Sequence, residues 1–202
     1  MTRVKVCGIT NLDDLEVVLD EGASAVGFVL EQGSPRLVGM GDIADLLSAV
    51  PPYVARVAVM GPFAPGGHLA SFDAVQAIGV ERTRLEASQR AVAVYRVGSG
   101  EPFPDPEEVD AVLLDAFSAG EYGGTGKRID FRSARAAMAE STRPVIVAGG
   151  LDPDNVGEVV KELRPYAVDV SSGVESAPGK KDRGAVRAFI QAVRAMDRQL
   201  SE

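Results

Sequence analysis

The segment Val4-Lys5-Val6-Cys7-Gly8-Ile9-Thr10-Asn11 is the first of several places where a short apolar run meets the start of a helix. The apolar run predicts a buried strand, and the glycine, threonine and asparagine after it are residue types that end strands and cap helices. Cys7, the single cysteine of the chain, is therefore expected at the end of this strand. Because side chains alternate along a strand, Lys5 and Cys7 should point to the same face.

Seven further apolar runs occur along the chain, each before a helix or a gap of helical length. They cover residues 25–30, 54–60, 73–76, 91–97, 111–115, 144–148 and 167–170. Strands that alternate with helices pair in parallel, and eight such units predict a single α/β domain, a (β/α)₈ barrel over residues 1–202. The alternative is an open doubly wound sheet, but its usual G-x-G-x-x-G fingerprint is missing after the first strand.

The helical segments differ in how clearly the sequence marks them. Apolar spacing and capping residues predict helices over residues 11–22, 41–49, 131–139, 152–163 and 182–200. Pro153 is expected at the first position of its helix, and residues 68–71 predict one short helix. The stretch between the fourth and fifth strands, residues 78–90, fits at most a short helix over 81–88. We therefore expect a reduced or missing fourth helix.

The composition favours a soluble protein of the cytoplasm. A formal net charge of -8 disfavours nucleic acid and anionic membranes as partners, and no apolar run approaches the ~20 residues needed to span a bilayer. The first ten residues lack the basic start and apolar stretch of a signal peptide. One cysteine and one histidine exclude an intrachain disulfide and a Cys/His metal cluster, so no metal is expected.

Polar residues at the C-terminal ends of the strands are the candidate site residues, because the active site of a (β/α)₈ barrel lies there. Cys7 ends the first strand, Arg36 follows the second and Asp115 ends the sixth. Gly149-Gly150 follow the seventh strand and Ser171-Ser172-Gly173 follow the eighth, where such barrels often hold a phosphate on backbone N–H groups. Each glycine alone could simply turn the chain, but their occurrence on one rim favours phosphate binding.

Cys7 and Asp115 are predicted to be a base and an acid on opposite sides of one cavity. Lys5 should favour the thiolate and hold the pKa of Cys7 below the ~8.5 of a free thiol. The apolar run before Asp115 should raise the pKa of its carboxyl above ~3.9. The alternatives are a buried, unreactive cysteine and a solvated or helix-capping carboxylate.

Two further charged residues have a structural and a binding interpretation. Arg36 could hold a substrate carboxylate in a bidentate grip, or it could be an exposed surface charge. Asp169 faces inward if Ser171 does, because the two alternate along the eighth strand. We interpret Asp169 as the structural partner of Lys5, since a buried lysine needs an opposite charge.

Six segments together resemble the phosphoribosylanthranilate isomerase family, in the right order and over nearly the whole chain. They are Lys5-Val6-Cys7-Gly8-Ile9-Thr10, Ser34-Pro35-Arg36, Leu113-Leu114-Asp115, Tyr122-Gly123-Gly124-Thr125-Gly126-Lys127, Ala148-Gly149-Gly150-Leu151 and Asp169-Val170-Ser171-Ser172-Gly173-Val174-Glu175. Any one segment would be a weak signal, but the combination is specific.

The resemblance implies a (β/α)₈ barrel that carries out a cofactor-free Amadori rearrangement of a small phosphosugar in tryptophan biosynthesis. In that family the cysteine matching Cys7 is the general base and the aspartate matching Asp115 is the general acid. The arginine matching Arg36 binds the anthranilate carboxylate. The phosphate is bound by the loops matching Gly149-Gly150 and Ser171-Ser172-Gly173, with Gly124, Thr125 and Gly126 beside them. A monomer and a homodimer both remain open.

The chain departs from the family pattern in two places, and three other functions remain open. Gln76-Ala77-Ile78-Gly79 stands where the family usually has Gln-Leu-His-Gly, and Phe28-Val29-Leu30 lacks a second aromatic residue. A related isomerase acting on a histidine-pathway aminoaldose would carry an aspartate in place of Cys7. The other two alternatives are a non-catalytic phosphosugar-binding barrel and a thiol redox sensor.

Overall fold

Eight parallel strands close into a barrel in the order in which they occur along the chain. The structure, a computed structural model, describes residues 1–39, 41–61, 69–80, 85–104, 107–116 and 130–202. The barrel strands are β1 Arg3–Cys7, β2 Ala25–Val29, β3 Ala55–Met60, β4 Ala74–Ala77, β5 Arg90–Val97, β6 Ala111–Ala116, β7 Val145–Val147 and β8 Ala167–Val170. Because β1 pairs with both β2 and β8, the sheet is closed. The predicted (β/α)₈ barrel is confirmed, and the open sheet is wrong.

Five α-helices surround the barrel in the described part of the chain. They are α1 Leu12–Asp20, α2 Ile43–Ala49, α3 Phe131–Glu140, α4 Val156–Leu163 and α5 Arg183–Gln199. Three of them begin where the sequence supplies a capping oxygen: Asn11, Asp130 and Asp182 each accept a hydrogen bond from a backbone N–H of the first turn. None of these helices is long and apolar enough to cross a membrane.

Two predicted helices differ from the structure. The helix predicted from residue 152 begins only at Val156, because Asp152 accepts hydrogen bonds from the N–H groups of Asp154 and Asn155 and forms a turn before it. The helix considered over 81–88 falls partly on residues 81–84, outside the described residues, and residues 85–88 are not helical. The short helix near residue 70 is a single 3₁₀ turn, Leu69–Ser71.

The barrel interior holds both apolar and polar side chains. One set of inward positions carries small and medium apolar side chains, which form a cluster of their own: Val57, Ala74, Val92, Leu113 and Ala148. Nearer the C-terminal ends, inward positions carry the buried polar side chains of Lys5, Gln76 and Asp169. A separate and larger apolar core lies between the strands and the helices. The polar interior positions therefore mark the end of the barrel where chemistry is expected.

A two-stranded antiparallel ribbon follows β8. It consists of β9 Glu175–Ala177 and β10 Lys180–Lys181, and it leads directly into α5. Thr10 Oγ1 donates a hydrogen bond to the Gly179 carbonyl at 2.7 Å, which holds the turn of the ribbon against the loop after β1. The ribbon therefore lies beside the end of the strand that carries Cys7.

Candidate active site

A cavity of about 200 Å³ opens at the C-terminal ends of the strands. Its lining includes every predicted site residue of the described chain except Lys5 and Gly173: Cys7, Arg36, Asp115, Gly149, Gly150, Asp169, Ser171 and Ser172. Gly124, Thr125 and Gly126 lie outside the described residues. Their position beside the phosphate therefore stays a prediction. The barrel brings together residues from the ends of five strands or from the loops that follow them.

Lys5 and Cys7 share the inward face of β1, as the alternation predicts. A Cβ atom added at Gly27 of the neighbouring strand would lie 2.9 Å from Cys7 Sγ and 3.0 Å from Lys5 Nζ. Only glycine leaves room for both side chains there. Lys5 Nζ donates a hydrogen bond to Asp169 Oδ2 at 2.8 Å, and both groups are buried. The predicted pairing of Lys5 with Asp169 is confirmed.

The pKa of the Cys7 thiol is raised above its usual value, so the prediction of a lowered pKa is wrong. Burial is the main cause, because it disfavours the thiolate. Lys5 and Lys181 lower the pKa, and Asp169 raises it, without reversing the effect of burial. Burial also opposes the charge of Lys5, but Asp169 and Cys7 together raise the pKa of its ammonium group. Lys5 is therefore a permanent cation whose charge is largely matched by Asp169.

The pKa of Asp115 is raised to about 6, and burial is the main cause. The Ala116 N–H donates to Asp115 Oδ1 at 2.9 Å and opposes the shift. Asp169 raises the pKa further, and Lys5 lowers it, across the barrel. The predicted direction is confirmed: this carboxyl holds its proton to a higher pH than an ordinary aspartate does.

Arg36 is not an exposed surface charge, because its guanidinium group is held by a buried carboxylate. Arg36 Nε and Nη2 donate to Glu175 Oε1 and Oε2 at 2.9 and 2.8 Å. Its stem crosses the loop after β1, where a Cβ at Gly8 would lie 2.7 Å from Arg36 Cδ. The Nε/Nη2 edge is thus occupied, and the Nη1/Nη2 edge is the one that can bind a substrate carboxylate.

The predicted phosphate loops meet on one side of the cavity. Gly149 and Gly150 have φ values of +86° and +61°, a conformation that favours glycine. Ser171 Oγ is buried and has no hydrogen-bond partner within the described part of the chain. A Cβ at Gly173 would lie 1.9 Å from the Leu151 carbonyl oxygen, so the loop after β8 packs directly on the loop after β7. Gly173 supports this contact and does not line the cavity itself.

Four residues of the cavity region were not predicted as site residues. Gln76 is 6% exposed and lines the cavity, and its Oε1 atom has no partner among the described residues. Arg96 also lines the cavity. Glu175 and Lys181 form an ion pair at 2.7 Å behind Arg36. Alternation along β4 and β5 could have identified Gln76 and Arg96, but no local pattern signals the ion pair, because the ribbon brings it under the site.

No cluster of three or more histidine, cysteine, aspartate or glutamate side chains that could hold a metal ion occurs among the described residues.

Comparison with known proteins identifies one family over almost the whole chain. The family model described as "N-(5'phosphoribosyl)anthranilate (PRA) isomerase" matches residues 4–192. A relative from Geobacter metallireducens, named N-(5'-phosphoribosyl)anthranilate isomerase, is 43% identical over 96% of this chain and 100% of its own. The crystal structure of phosphoribosyl anthranilate isomerase from Thermus thermophilus superposes with a TM-score of 0.82 at 32% identity, covering 96% of this chain and 100% of the other.

A third similar protein carries a ligand. It is a phosphoribosyl anthranilate isomerase crystallised in complex with reduced 1-(o-carboxyphenylamino)-1-deoxyribulose 5-phosphate. Its TM-score is 0.76 at 31% identity, and the match covers 96% of this chain and 100% of that one.

Proposed function

The chain belongs to the N-(5'-phosphoribosyl)anthranilate isomerase family and is an isomerase of tryptophan biosynthesis, and on this premise we propose that Cys7 is its general base and Asp115 its general acid. The observation that carries the proposal is that one cavity exposes both groups, on β1 and β6, with a raised pKa at the carboxyl. A carboxyl that keeps its proton can act as an acid near neutral pH.

The reaction is an internal rearrangement in which only protons move between enzyme and substrate. The Asp115 carboxyl protonates the ring oxygen of the aminoaldose while the bond from that oxygen to C1′ breaks, which gives an open-chain protonated imine. The Cys7 thiolate then removes the proton from C2′ and gives an enolamine. Protonation at C1′ and loss of the C2′ hydroxyl proton convert the enolamine to the ketose.

The active protonation state is the reverse of the one that prevails in the free enzyme. Burial raises the pKa of Cys7 above its usual value, whereas the pKa of Asp115 is about 6. Between these values most molecules carry a neutral thiol and an ionised carboxylate. The reactive form, thiolate with protonated carboxyl, is the minor singly protonated form, and its population is constant across that pH range.

The two ends of the substrate are proposed to bind on different loops. The phosphate is held where Gly149 and Gly150 meet Ser171 and Ser172, since the left-handed glycines bring backbone close to the ligand and the Ser171 hydroxyl is unpaired within the described residues. The anthranilate carboxylate is held by the Nη1/Nη2 edge of Arg36, whose Nη1 has no hydrogen-bond partner among the described residues. With both ends fixed, C1′ and C2′ are positioned between the base and the acid.

A turnover assay tests this proposal directly. Phosphoribosylanthranilate is added to the purified enzyme, and loss of its anthranilate-type fluorescence is followed against a Cys7→Ser control. We expect turnover by the wild type and a large loss in the variant. Binding of phosphoribosylanthranilate without turnover would support a non-catalytic phosphosugar-binding barrel instead.

A further inference from the structure

The carboxylate of Glu175 joins two cations beneath the active site. Its Oε1 atom accepts hydrogen bonds from Arg36 Nε at 2.9 Å and from Lys181 Nζ at 2.7 Å, and its Oε2 atom accepts one from Arg36 Nη2 at 2.8 Å. The glutamate side chain is only 4% exposed. Burial raises the pKa of Glu175, but Arg36 and Lys181 together bring it below its usual range, so the carboxylate is ionised. Three hydrogen bonds therefore fix its orientation.

Lys181 connects this carboxylate to the strand of the base. Its Nζ donates to the Cys7 carbonyl oxygen at 2.7 Å as well as to Glu175, and it lies 3.4 Å from the Ser171 carbonyl oxygen. Its backbone N–H donates to Asp14 Oδ2 of α1 at 2.9 Å. The Lys181 side chain is fully buried. One ammonium group thus ties the ends of β1 and β8 to the ribbon.

The ionic groups paired with one another around Cys7 form two sets of different charge. Lys5 and Asp169 form one neutral pair, whereas Arg36 and Lys181 share the single carboxylate of Glu175. Burial lowers the pKa of Lys181, and Glu175 opposes that shift. With Lys181 protonated, the three-residue group carries one net positive charge. That charge lies next to the thiol: Lys181 acts electrostatically on Cys7, and Cys7 in turn acts on Arg36. An excess positive charge favours a thiolate and an anionic ligand in the same cavity.

We propose that Glu175 and Lys181 are positioning residues of the active site, of which Glu175 aims the free Nη1/Nη2 edge of Arg36 at the substrate carboxylate. Lys181 anchors the backbone of Cys7 and supplies the excess positive charge beside its thiol. These roles rest on the proposed function, which identifies the ligand of Arg36 as the substrate carboxylate.

Structural support of the ribbon alone does not account for this arrangement. Burying charges costs desolvation energy, and buried ionic groups are often no more stabilising than apolar side chains of similar size. A ribbon packed on a barrel end could be held by apolar contacts. Here one carboxylate holds two cations: the half-buried Arg36, which lines the cavity, and the buried Lys181, which bonds the backbone of Cys7. Such an arrangement suits a site for an anionic substrate.

The thiol pKa separates a positioning role from a purely structural one. Cys7 is the single cysteine, so the pH dependence of its alkylation by iodoacetamide reports that thiol alone. Lys181→Met removes a positive charge and should raise the thiol pKa, whereas Glu175→Gln removes a negative charge and should lower it. We expect about one unit in each direction, the lower end of the shift that a neighbouring charge causes. Glu162→Gln, which breaks a surface pair with Arg135, is the matched control and should leave the thiol pKa unchanged.

Ligand binding tests the role of Glu175 in aiming Arg36. Glu175→Gln should weaken binding of reduced 1-(o-carboxyphenylamino)-1-deoxyribulose 5-phosphate by about tenfold, the scale of one hydrogen bond to a charged group. We expect the loss of a correctly aimed Arg36 to outweigh the attraction of the added positive charge. Binding of inorganic phosphate should weaken much less, because the Glu175 carboxylate bonds Arg36 directly but reaches the Ser171 loop only through Lys181. Equal losses for both ligands would indicate general damage to the site and would overturn the proposal.

The proposal would also be overturned if Lys181→Met and Glu175→Gln shifted the pKa of the Cys7 thiol in the same direction, or did not shift it. If Lys181→Met does not fold, the sign of the shift in Glu175→Gln decides alone. The alkylation measurement needs neither substrate nor turnover. A failure of the proposed reaction would therefore leave these shifts intact, and a failure of the positioning role would leave turnover intact in the wild type.

Discussion

Burial raises the pKa of both aspartates of the cavity, but the two differ in their partners. On the β1/β8 side, Asp169 is paired with Lys5 at 2.8 Å, and further cations lie nearby. On the β6 side, the one hydrogen bond found for the Asp115 carboxyl within the described residues comes from the Ala116 N–H, and the pKa rises to about 6. The first carboxylate helps to hold the structure together, and the second is left poorly compensated. This contrast indicates that the proposed proton donor has a raised pKa because it is buried without a strong partner among the described residues.

The largest expected effect is the loss of the base. Cys7→Ser should lower kcat by about 10²- to 10⁴-fold, the range of general acid–base catalysis, because a serine hydroxyl does not ionise in the working pH range. Steady-state kinetics with phosphoribosylanthranilate measure the loss. Binding of the reduced ketose analogue should stay near the wild-type value. A variant with near-normal kcat would remove Cys7 from the mechanism.

Replacing the paired aspartate should destabilise the fold. Asp169→Asn leaves the Lys5 ammonium buried without its counter-charge, and we expect a loss of about 3 kcal/mol in the free energy of unfolding, the lower end for a broken buried ion pair. The amide oxygen can still accept a hydrogen bond, which limits the loss. Urea denaturation at pH 7.5 measures it. An unchanged free energy of unfolding would show that the pair does not contribute to stability.

The same substitution at Asp115 should instead raise the free energy of unfolding. A pKa that is about 6 in the folded state and near 4 in the unfolded state means that the wild type is relatively most stable below pH 4 and loses this advantage as the pH rises through 6. Asp115→Asn cannot ionise, so it should be more stable than the wild type by about 2 kcal/mol at pH 7.5, allowing for partial exposure. At pH 4 the difference should be small. Urea denaturation at both pH values measures the difference in the free energy of unfolding. A variant that is less stable than the wild type at pH 7.5 would contradict a raised pKa at Asp115.

The last substitution concerns the phosphate loop. Gly150→Val places a side chain at a φ of +61°, which both strains the backbone and blocks the approach of a ligand. Inorganic phosphate at 100 times its dissociation constant should stabilise the wild type by about 2.7 kcal/mol and the variant by much less. Gly98→Val is the control, because it has a φ of +87° with open space around it and should keep the full phosphate effect. Equal protection of Gly150→Val and the wild type would place the phosphate elsewhere.

The sequence predicted the parts of the structure that depend on local pattern. The eight strands, the shared face of Lys5 and Cys7, and the raised pKa of Asp115 all follow from alternation and apolar runs. The direction of the Cys7 shift was mispredicted, because it depends on how far burial outweighs a lysine that also faces Asp169. The hold of Glu175 on Arg36 joins residues 139 positions apart, and no local signal encodes such a contact.

The pH profile of kcat/KM in the wild type and in Asp115→Asn tests the acid–base pair most directly. The wild type should give a bell whose acidic limb lies near pH 6 and whose alkaline limb follows the thiol, both belonging to the coupled pair. Dividing kcat/KM of the variant by kcat/KM of the wild type at each pH removes the effect of substrate phosphate ionisation, which is common to both enzymes. Asp115→Asn has no carboxyl proton to lose, so its residual activity should need only the thiolate. Its kcat/KM should keep rising with pH through the range in which the wild type declines, and then reach a plateau. A variant with wild-type turnover and an unchanged bell would contradict the assignment and show that another group opens the ring.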